Sequence, residues 1–327
     1  MIKGQQGLIG EIVKSKSSGG KKGKPNQYKG FPLKYFESMS YVERICEWFT
    51  NFPHFLSEKS LKNNTDPVYR LRMAARAVIT TVYMTVKPSK PFNPILGETY
   101  QGYMTLDANK LLADLNLNQN HSKYQFSEQA QNMADNALDQ ADVFKVFVEQ
   151  TSHHPPISNF LISSRMMEIS GHYEMKGSMN KNSYSIYNKG VCHIKFLDTQ
   201  QVITFSLPDV VMTGLFFGTQ QLQLSSSLIL HDAANCLKAH ISFDNSGGAA
   251  VKRFKKCEDK KANMYGLVYK YDSSKNQKID ASLQLAKVTD IVEEYEEVWG
   301  NWQCYLESAQ EGMVWNLDQT VDACTDA

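Results

Sequence analysis

The sequence predicts an α+β protein dominated by antiparallel β-structure, with helices in its first third flanking a large sheet that curls toward a barrel. Three observations point there. From Val143 onward the chain breaks into short β-branched and aromatic runs, many separated by Gly, Asn, Asp or Lys turn signals. Ahead of them lie two stretches of helical periodicity, each opened by a capping residue. The patterns G-x-x-x-x-G-K-[ST], G-x-G-x-x-G and G-x-S-x-G are absent and no repeat of ~20 to 50 residues recurs, which counts against nucleotide-binding enzymes and repeat architectures.

In chain order, Leu8, Ile9, Ile12 and Val13 fall at i, i+1, i+4 and i+5 and share one face of a helix of about two turns. A helix that short is marginal alone in water, so its apolar face is expected to cover a pocket mouth or rest on a membrane. Ser17-Ser18-Gly19-Gly20, the lysines that follow and Pro25 read as a flexible hinge. Ser40-x-x-Glu43 has capping-box spacing ahead of Ile45, Trp48, Phe49 and Phe52, and Pro53 stops the pattern, which predicts one helix of roughly three turns. Asp66-Pro67 pairs a cap with an N1 proline and opens a second helix with Leu71, Ala74, Ala75, Val78 and Val82 on its core face. Residues 105–141, rich in Asn, Gln, Asp and Ala, read as a polar surface insertion.

Strands are expected at Val143 to Val148, Ile157 to Ile162, His172 to Met175, Ser183 to Tyr187, His193 to Phe196 and Val202 to Phe205. Further runs fall at Leu222 to Leu230, Leu237 to Phe243, Tyr265 to Tyr271 and Ala281 to Leu285. So many short strands suit a barrel or a strongly curled sheet, which removes exposed edges and can enclose a ligand cavity.

The chain has 327 residues and a hydrophobic fraction of 42%, with no apolar run near the ~18 to 20 residues that span a bilayer, so it is not expected to cross a membrane. Its start lacks a secretory h-region, and its six cysteines are scattered with no C-x-x-C pair, which favours reduced thiols inside the cell. The net charge of +1 hides an asymmetry. Lys3, Lys14, Lys16, Lys21, Lys22, Lys24 and Lys29 oppose only Glu11 at the start, whereas no Lys or Arg follows Lys287. A basic arm centred on Lys21, Lys22 and Lys24 suits an anionic membrane face. It lacks the interleaved aromatics of a single-strand nucleic-acid binder, so nucleic acid is not an expected partner.

Residues 149 to 156 read Glu149-Gln150-Thr151-Ser152-His153-His154-Pro155-Pro156. Two imidazoles adjoin two prolines whose fixed φ stiffens the segment, and Pro155 biases His154 toward an extended conformation. A second motif, Lys90-Pro91-Phe92-Asn93-Pro94-Ile95-Leu96-Gly97-Glu98, reads as a rigid elbow from the second helix into the sheet. Together the two motifs resemble the signatures of the oxysterol-binding-protein family, with Thr151 where the family usually has Val. The resemblance extends less sharply over the Ser40 helix, the Arg72-Met73 region and Gly300-Asn301-Trp302, and so covers most of the chain.

The resemblance implies an incomplete β-barrel around a lipid tunnel, with flanking helices and an N-terminal lid whose covering face would be Leu8, Ile9, Ile12 and Val13. Residues 1–29 would then be lid and basic arm, and residues 30–327 one lipid-binding domain. It implies that Lys90, Asn93, His153 and His154 grip the phosphorylated headgroup of phosphatidylinositol 4-phosphate, and that a sterol or phosphatidylserine shares the tunnel. The implied activity is lipid exchange between membranes by a monomer that is cytoplasmic and only transiently at organelle surfaces. It needs no cofactor, metal or covalent catalysis. A phosphomonoester carries about −1.5 to −2 charge and several acceptors, which suits a lysine together with imidazoles that donate when neutral and add charge when protonated. One departure is that residues 303–327 hold no basic residue, where the family usually adds spaced basic contacts, so a weaker phosphate grip is expected.

Two other readings compete. A zinc hydrolase would use His153 and His154 with His172 or His193, but adjacent histidines on an extended strand are expected to point apart and no H-x-x-x-H spacing accompanies them. A lipid sensor or tether would share every site residue with a transporter and differ only in failing to transfer.

Overall fold

The computed structural model of the protein describes residues 36–84, 90–106, 143–214, 217–219, 221–224, 227–243, 263–274 and 291–317, the side chains of Met84 and Lys90 excepted. The expected lid face (Leu8, Ile9, Ile12, Val13), the basic arm (Lys21, Lys22, Lys24), the polar stretch beyond Leu106 and the strand expected at Ala281 to Leu285 lie outside these residues.

Strand β1 (Phe36–Ser40) runs straight into helix α1 (Tyr41–Trp48). Ser40 occupies the N-cap with extended backbone, but its buried hydroxyl makes no capping bond. It is also the last residue of β1, paired opposite Phe92, so sheet pairing rather than a capping box sets its conformation. The expected three-turn helix is in fact two. After α1 the chain turns, and Pro53 stands in the first turn of α2 (Phe52–Leu56), where a missing N–H costs nothing. Helix α3 (Glu58–Leu61) is capped by Ser57, whose Oγ accepts from Ser60 N at 3.2 Å. Helix α4 (Pro67–Met84) starts as the sequence indicates, with the Asp66 carboxylate accepting from Val68 N and Tyr69 N at 3.2 and 3.1 Å. Leu71, Ala74, Ala75, Val78 and Val82 are all buried along it. Among the described residues no helix is long and apolar enough to cross a membrane.

The strands that follow are β2 (Lys90–Phe92), β3 (Thr99–Met104), β4 (Phe144–His153), β5 (Pro156–Ser163), β6 (Met167–Met179), β7 (Ser183–Lys189), β8 (Cys192–Phe196) and β9 (Val202–Phe205). Beyond them come β10 (Val210–Thr213), β11 (Gln221–Leu224), β12 (Leu228–Asp232), β13 (Leu237–Phe243), β14 (Met264–Tyr271), β15 (Ile291–Asn301), β16 (Tyr305–Ser308) and β17 (Gly312–Asn316). β2 pairs in parallel with β1; all the others form one antiparallel sheet. The run expected at Leu222 to Leu230 divides into β11 and β12, and β15 to β17 extend the sheet beyond the strands anticipated.

β6 is the branch point. It pairs with β5 along one edge, and along the other with β8 over its first half and β7 over its second. From there the order continues through β8, β9, β12, β13, β14 and β15 to β17, while among the described residues β3 ends the other arm, paired with β4. The sheet curls without closing, as an incomplete barrel. Its apolar face, including Phe144, Val146, Phe160, Ile194, Phe205, Leu230 and Ile241, shares one continuous core with the buried faces of α1, α2 and α4.

Polar groups tie α4 across this core. Arg72 Nε donates to Glu296 on β15 at 2.8 Å, and Arg76 Nη2 donates to the other oxygen of the same carboxylate at 2.6 Å. Both guanidinium groups also reach Glu311 at 2.9 Å, and Ser308 Oγ donates to Glu296 at 2.6 Å. Burial pushes the Glu296 carboxyl up, but pairing with Arg72, Arg76 and Ser308 outweighs it and holds the group below the usual carboxylate range.

Candidate functional site

The β4–β5 hairpin carries the first motif. Along β4 the buried face runs Phe144, Val146, Val148, Gln150, the period of two expected of a strand. Continued without interruption, that period would put Ser152 inward and His153 outward. The pairing instead shifts by one residue: Gln150 lies opposite Ser158, Ser152 opposite Ile157 and His153 opposite Pro156. Thr151 is the extra residue of a β-bulge, and directly opposed residues share a face, so the bulge returns His153 to the face of Gln150 and Ser158. On the other face, Thr151 Oγ1 accepts from Asn159 Nδ2 at 2.6 Å.

His154 and Pro155 form the turn into β5, joined by a cis peptide bond. The two imidazoles do not point apart as expected of an extended pair: their ring centroids lie 4.7 Å apart in an edge-to-face arrangement. The reason is that His154 has left the strand, so strand alternation no longer governs it. Among the described residues no group of three His, Cys, Asp or Glu side chains is placed to hold a metal ion. His193 lies on β8 with its Nδ1 3.0 Å from Thr204 Oγ1.

The second motif docks against the same place. Gly97 N donates to Gln150 O at 2.8 Å and Gln150 N donates to Glu98 O at 2.9 Å, which fastens the loop after β2 to the bulged end of β4. Gly97 adopts φ +79°, a conformation that L side chains rarely adopt. Within the turn, Glu98 N donates to Ile95 O at 3.1 Å and the Glu98 carboxylate accepts from Ile95 N at 2.9 Å. Gln150 is only 1% exposed, and its side chain braces the hairpin itself. Its Nε2 donates to Ser152 O across the bulge at 2.7 Å, and its Oε1 accepts from Ser158 Oγ.

These segments enclose a cavity of about 310 Å³. Asn93 and Pro94 line it from the elbow, and His153, His154 and Pro156 from the hairpin turn. Gln150 and Ser158 sit between them, and Tyr41, Tyr173 and Met175 form the remaining wall. The volume is at the lower end of the ~300–1,000 Å³ typical of small-molecule sites and suits a headgroup better than a whole lipid. Of the sequence-expected residues, Asn93, His153 and His154 therefore share one cavity. Lys90 begins β2 three positions before Asn93.

The aromatic wall was not legible as a site. Tyr41 opens α1, and its phenol donates to Met175 Sδ at 3.1 Å. Trp48 stacks edge-on against Tyr41 at 5.7 Å and Tyr173 at 4.6 Å, fixing both rings. Burial pushes the Tyr41 phenol well above its ordinary range, with Tyr173 adding to it. Burial does the same to Tyr173, aided by Cys192 and Asp209, so both phenols stay neutral donors.

A family model for oxysterol-binding protein matches residues 30–320. The chain belongs to the oxysterol-binding protein family. Oxysterol-binding protein 9 of Dictyostelium discoideum is 27% identical over 255 residues, 77% of this chain and 50% of that protein. Human oxysterol-binding protein-related protein 8 is 25% identical over 227 residues, 68% of this chain and 20% of its own length. This chain thus spans half of one family member it matches and a fifth of the other. The fold is shared with the Osh3 ORD of Saccharomyces cerevisiae solved with PI(4)P, at a TM-score of 0.59 and 18% identity over 93% of this chain and 64% of that one. It is likewise shared with the Osh1 ORD domain solved with ergosterol, at a TM-score of 0.57 and 18% identity over 94% and 65% of the two chains.

Proposed function

We propose that this family member binds the phosphorylated headgroup of phosphatidylinositol 4-phosphate in the cavity of Asn93, His153 and His154, and exchanges that lipid between membranes for a sterol or phosphatidylserine. The observation that supports this most is the meeting of two sequence-distant motifs in one headgroup-sized cavity, crosslinked at Gln150. Two imidazoles and an amide offer donors from different directions, as a phosphate with several acceptors requires, and Lys90 would add a full charge. Tyr41, Tyr173 and Met175 suit the less polar part of a ligand, and the neutral Tyr41 phenol offers one donor whose present acceptor is only a thioether.

In this reading residues 30–327 act as one lipid-binding unit. Residues 1–29 act as lid and membrane-facing arm through Leu8, Ile9, Ile12, Val13, Lys21, Lys22 and Lys24. The protein would act as a monomer in the cytoplasm, visiting anionic organelle surfaces without staying. Support for both ligand classes comes from relatives of the same fold solved with PI(4)P and with ergosterol.

The test is extraction from liposomes containing phosphatidylinositol 4-phosphate, sterol or phosphatidylserine, followed by donor-to-acceptor transfer. His153→Ala with His154→Ala should abolish phosphoinositide extraction and spare the second lipid. Equal loss of both would make the histidines structural and end the headgroup assignment. Extraction without transfer would identify a sensor or tether instead.

A further inference from the structure

The turn after Pro94 does something that headgroup recognition does not require. Ile95 is 71% exposed and its neighbour Leu96 64%, while Phe92, at the end of β2, is 43% exposed. Isolated exposed apolar residues are ordinary, but a contiguous apolar tip beside a cavity mouth marks a contact surface. The turn is not slack. Pro94 is buried, Gly97 makes the reversal, and the bonds to Gln150 and within Ile95–Glu98 hold the backbone, so neither side chain can fold inward without breaking them.

Two aliphatic side chains with part of a phenyl ring fall far short of the ~800 Å² per partner that a stable protein interface buries. A bilayer makes no such demand, because its acyl boundary accepts any shape and insertion scales with the apolar surface submerged. Charge agrees. The turn's one acid, Glu98, directs its carboxylate at Ile95 N–H, and the adjoining rim presents the exposed imidazoles of His153 and His154. We infer that Ile95 and Leu96 form an insertion tip that seats the cavity mouth on an anionic lipid bilayer. The inference rests on the headgroup reading for the direction in which the mouth must face, since a headgroup is taken from the bilayer surface.

The experiment uses the full chain and two readouts. One is flotation with vesicles of phosphatidylcholine and phosphatidylserine. The other is calorimetric binding of dibutanoyl phosphatidylinositol 4-phosphate, a water-soluble form that needs no membrane. Ile95→Ser with Leu96→Ser should lower vesicle partitioning about tenfold or more and leave binding of the short-chain lipid unchanged. Val292→Ser, which replaces a side chain 63% exposed on β15, should keep wild-type partitioning. The single variants Ile95→Ser and Leu96→Ser should each give an intermediate loss, and a melting curve checks that all variants are folded. Undiminished partitioning of the double variant would overturn the tip, as would an equal loss in Val292→Ser. If the wild type ignores the short-chain lipid yet the double variant still leaves vesicles, the headgroup reading falls and the tip stands.

Discussion

Replacing Gln150 by Leu removes the side-chain brace of the bulge with little change in volume, while the backbone bonds to the elbow remain. The leucine gives Ser158 Oγ no acceptor and Ser152 O no donor, so the side-chain bonds that brace the bulge are both lost. Ser158 is only 2% exposed, whereas Ser152 is half-buried and its carbonyl can recruit water. At about 1–3 kcal/mol for a buried polar group left unpaired, the change should cost about 2–4 kcal/mol of unfolding free energy. Ser158→Ala alone strands Gln150 Oε1 instead, so combining it with Gln150→Leu should cost less than the sum of the two, with a coupling of about 1 kcal/mol. Urea unfolding of the four proteins measures this, and equal m-values would show that the folded state is otherwise intact. The functional consequence follows from the bulge, because His153 reaches the cavity only through the one-residue shift at Thr151. Binding of dibutanoyl phosphatidylinositol 4-phosphate should therefore weaken about tenfold, the loss of roughly one charge-assisted hydrogen bond. If Gln150→Leu matches the wild type within about 0.5 kcal/mol and the cycle is additive, the Gln150 side chain does not brace the bulge.

Three further outcomes are expected. Arg76→Met should destabilise the protein by about 3 kcal/mol in urea unfolding, the low end for breaking a buried ion pair because Arg72 still serves Glu296, and an unchanged midpoint would refute the clamp. Burial, helped by Lys238, holds the His240 imidazole down to about 4. The unfolded value is near ~6.5, so this contribution is complete above that pH and is lost as pH falls toward ~4, amounting to about 3 kcal/mol. An NMR titration midpoint for His240 near ~6.5 would contradict the burial argument. Thr151→Val should cost less than about 1 kcal/mol and leave lipid extraction intact, because the Asn159 bond it removes is exposed; a larger loss in either assay would mean that this outer bond holds the bulge.

Some elements could be read almost residue for residue because local pattern and tertiary demand coincide. β9 and β13 match the expected runs Val202 to Phe205 and Leu237 to Phe243, and α4 begins at the Asp66-Pro67 cap. β15 was missed because Glu293, Glu294, Glu296 and Glu297 make it look like a charged surface segment. Three of these are exposed or half-exposed, and the buried Glu296 depends on two arginines more than 200 positions away, which local sequence does not reveal. Ser40 reads as a cap by spacing, yet its conformation belongs to a parallel pairing with a strand fifty residues on.

The sequence by itself determined the family, through two short motifs of unusual residues, and the main elements, through periodicity and turn chemistry. It also named Asn93, His153 and His154 as candidates. Only the tertiary structure decided that these meet in one cavity, that a bulge turns His153 inward, and that Tyr41, Tyr173 and Met175 complete the wall. The physical reason is that periodicity reports which face a side chain takes relative to its own strand. A one-residue register shift inverts that face, and the contacts that stabilise the shift come from residues distant in sequence.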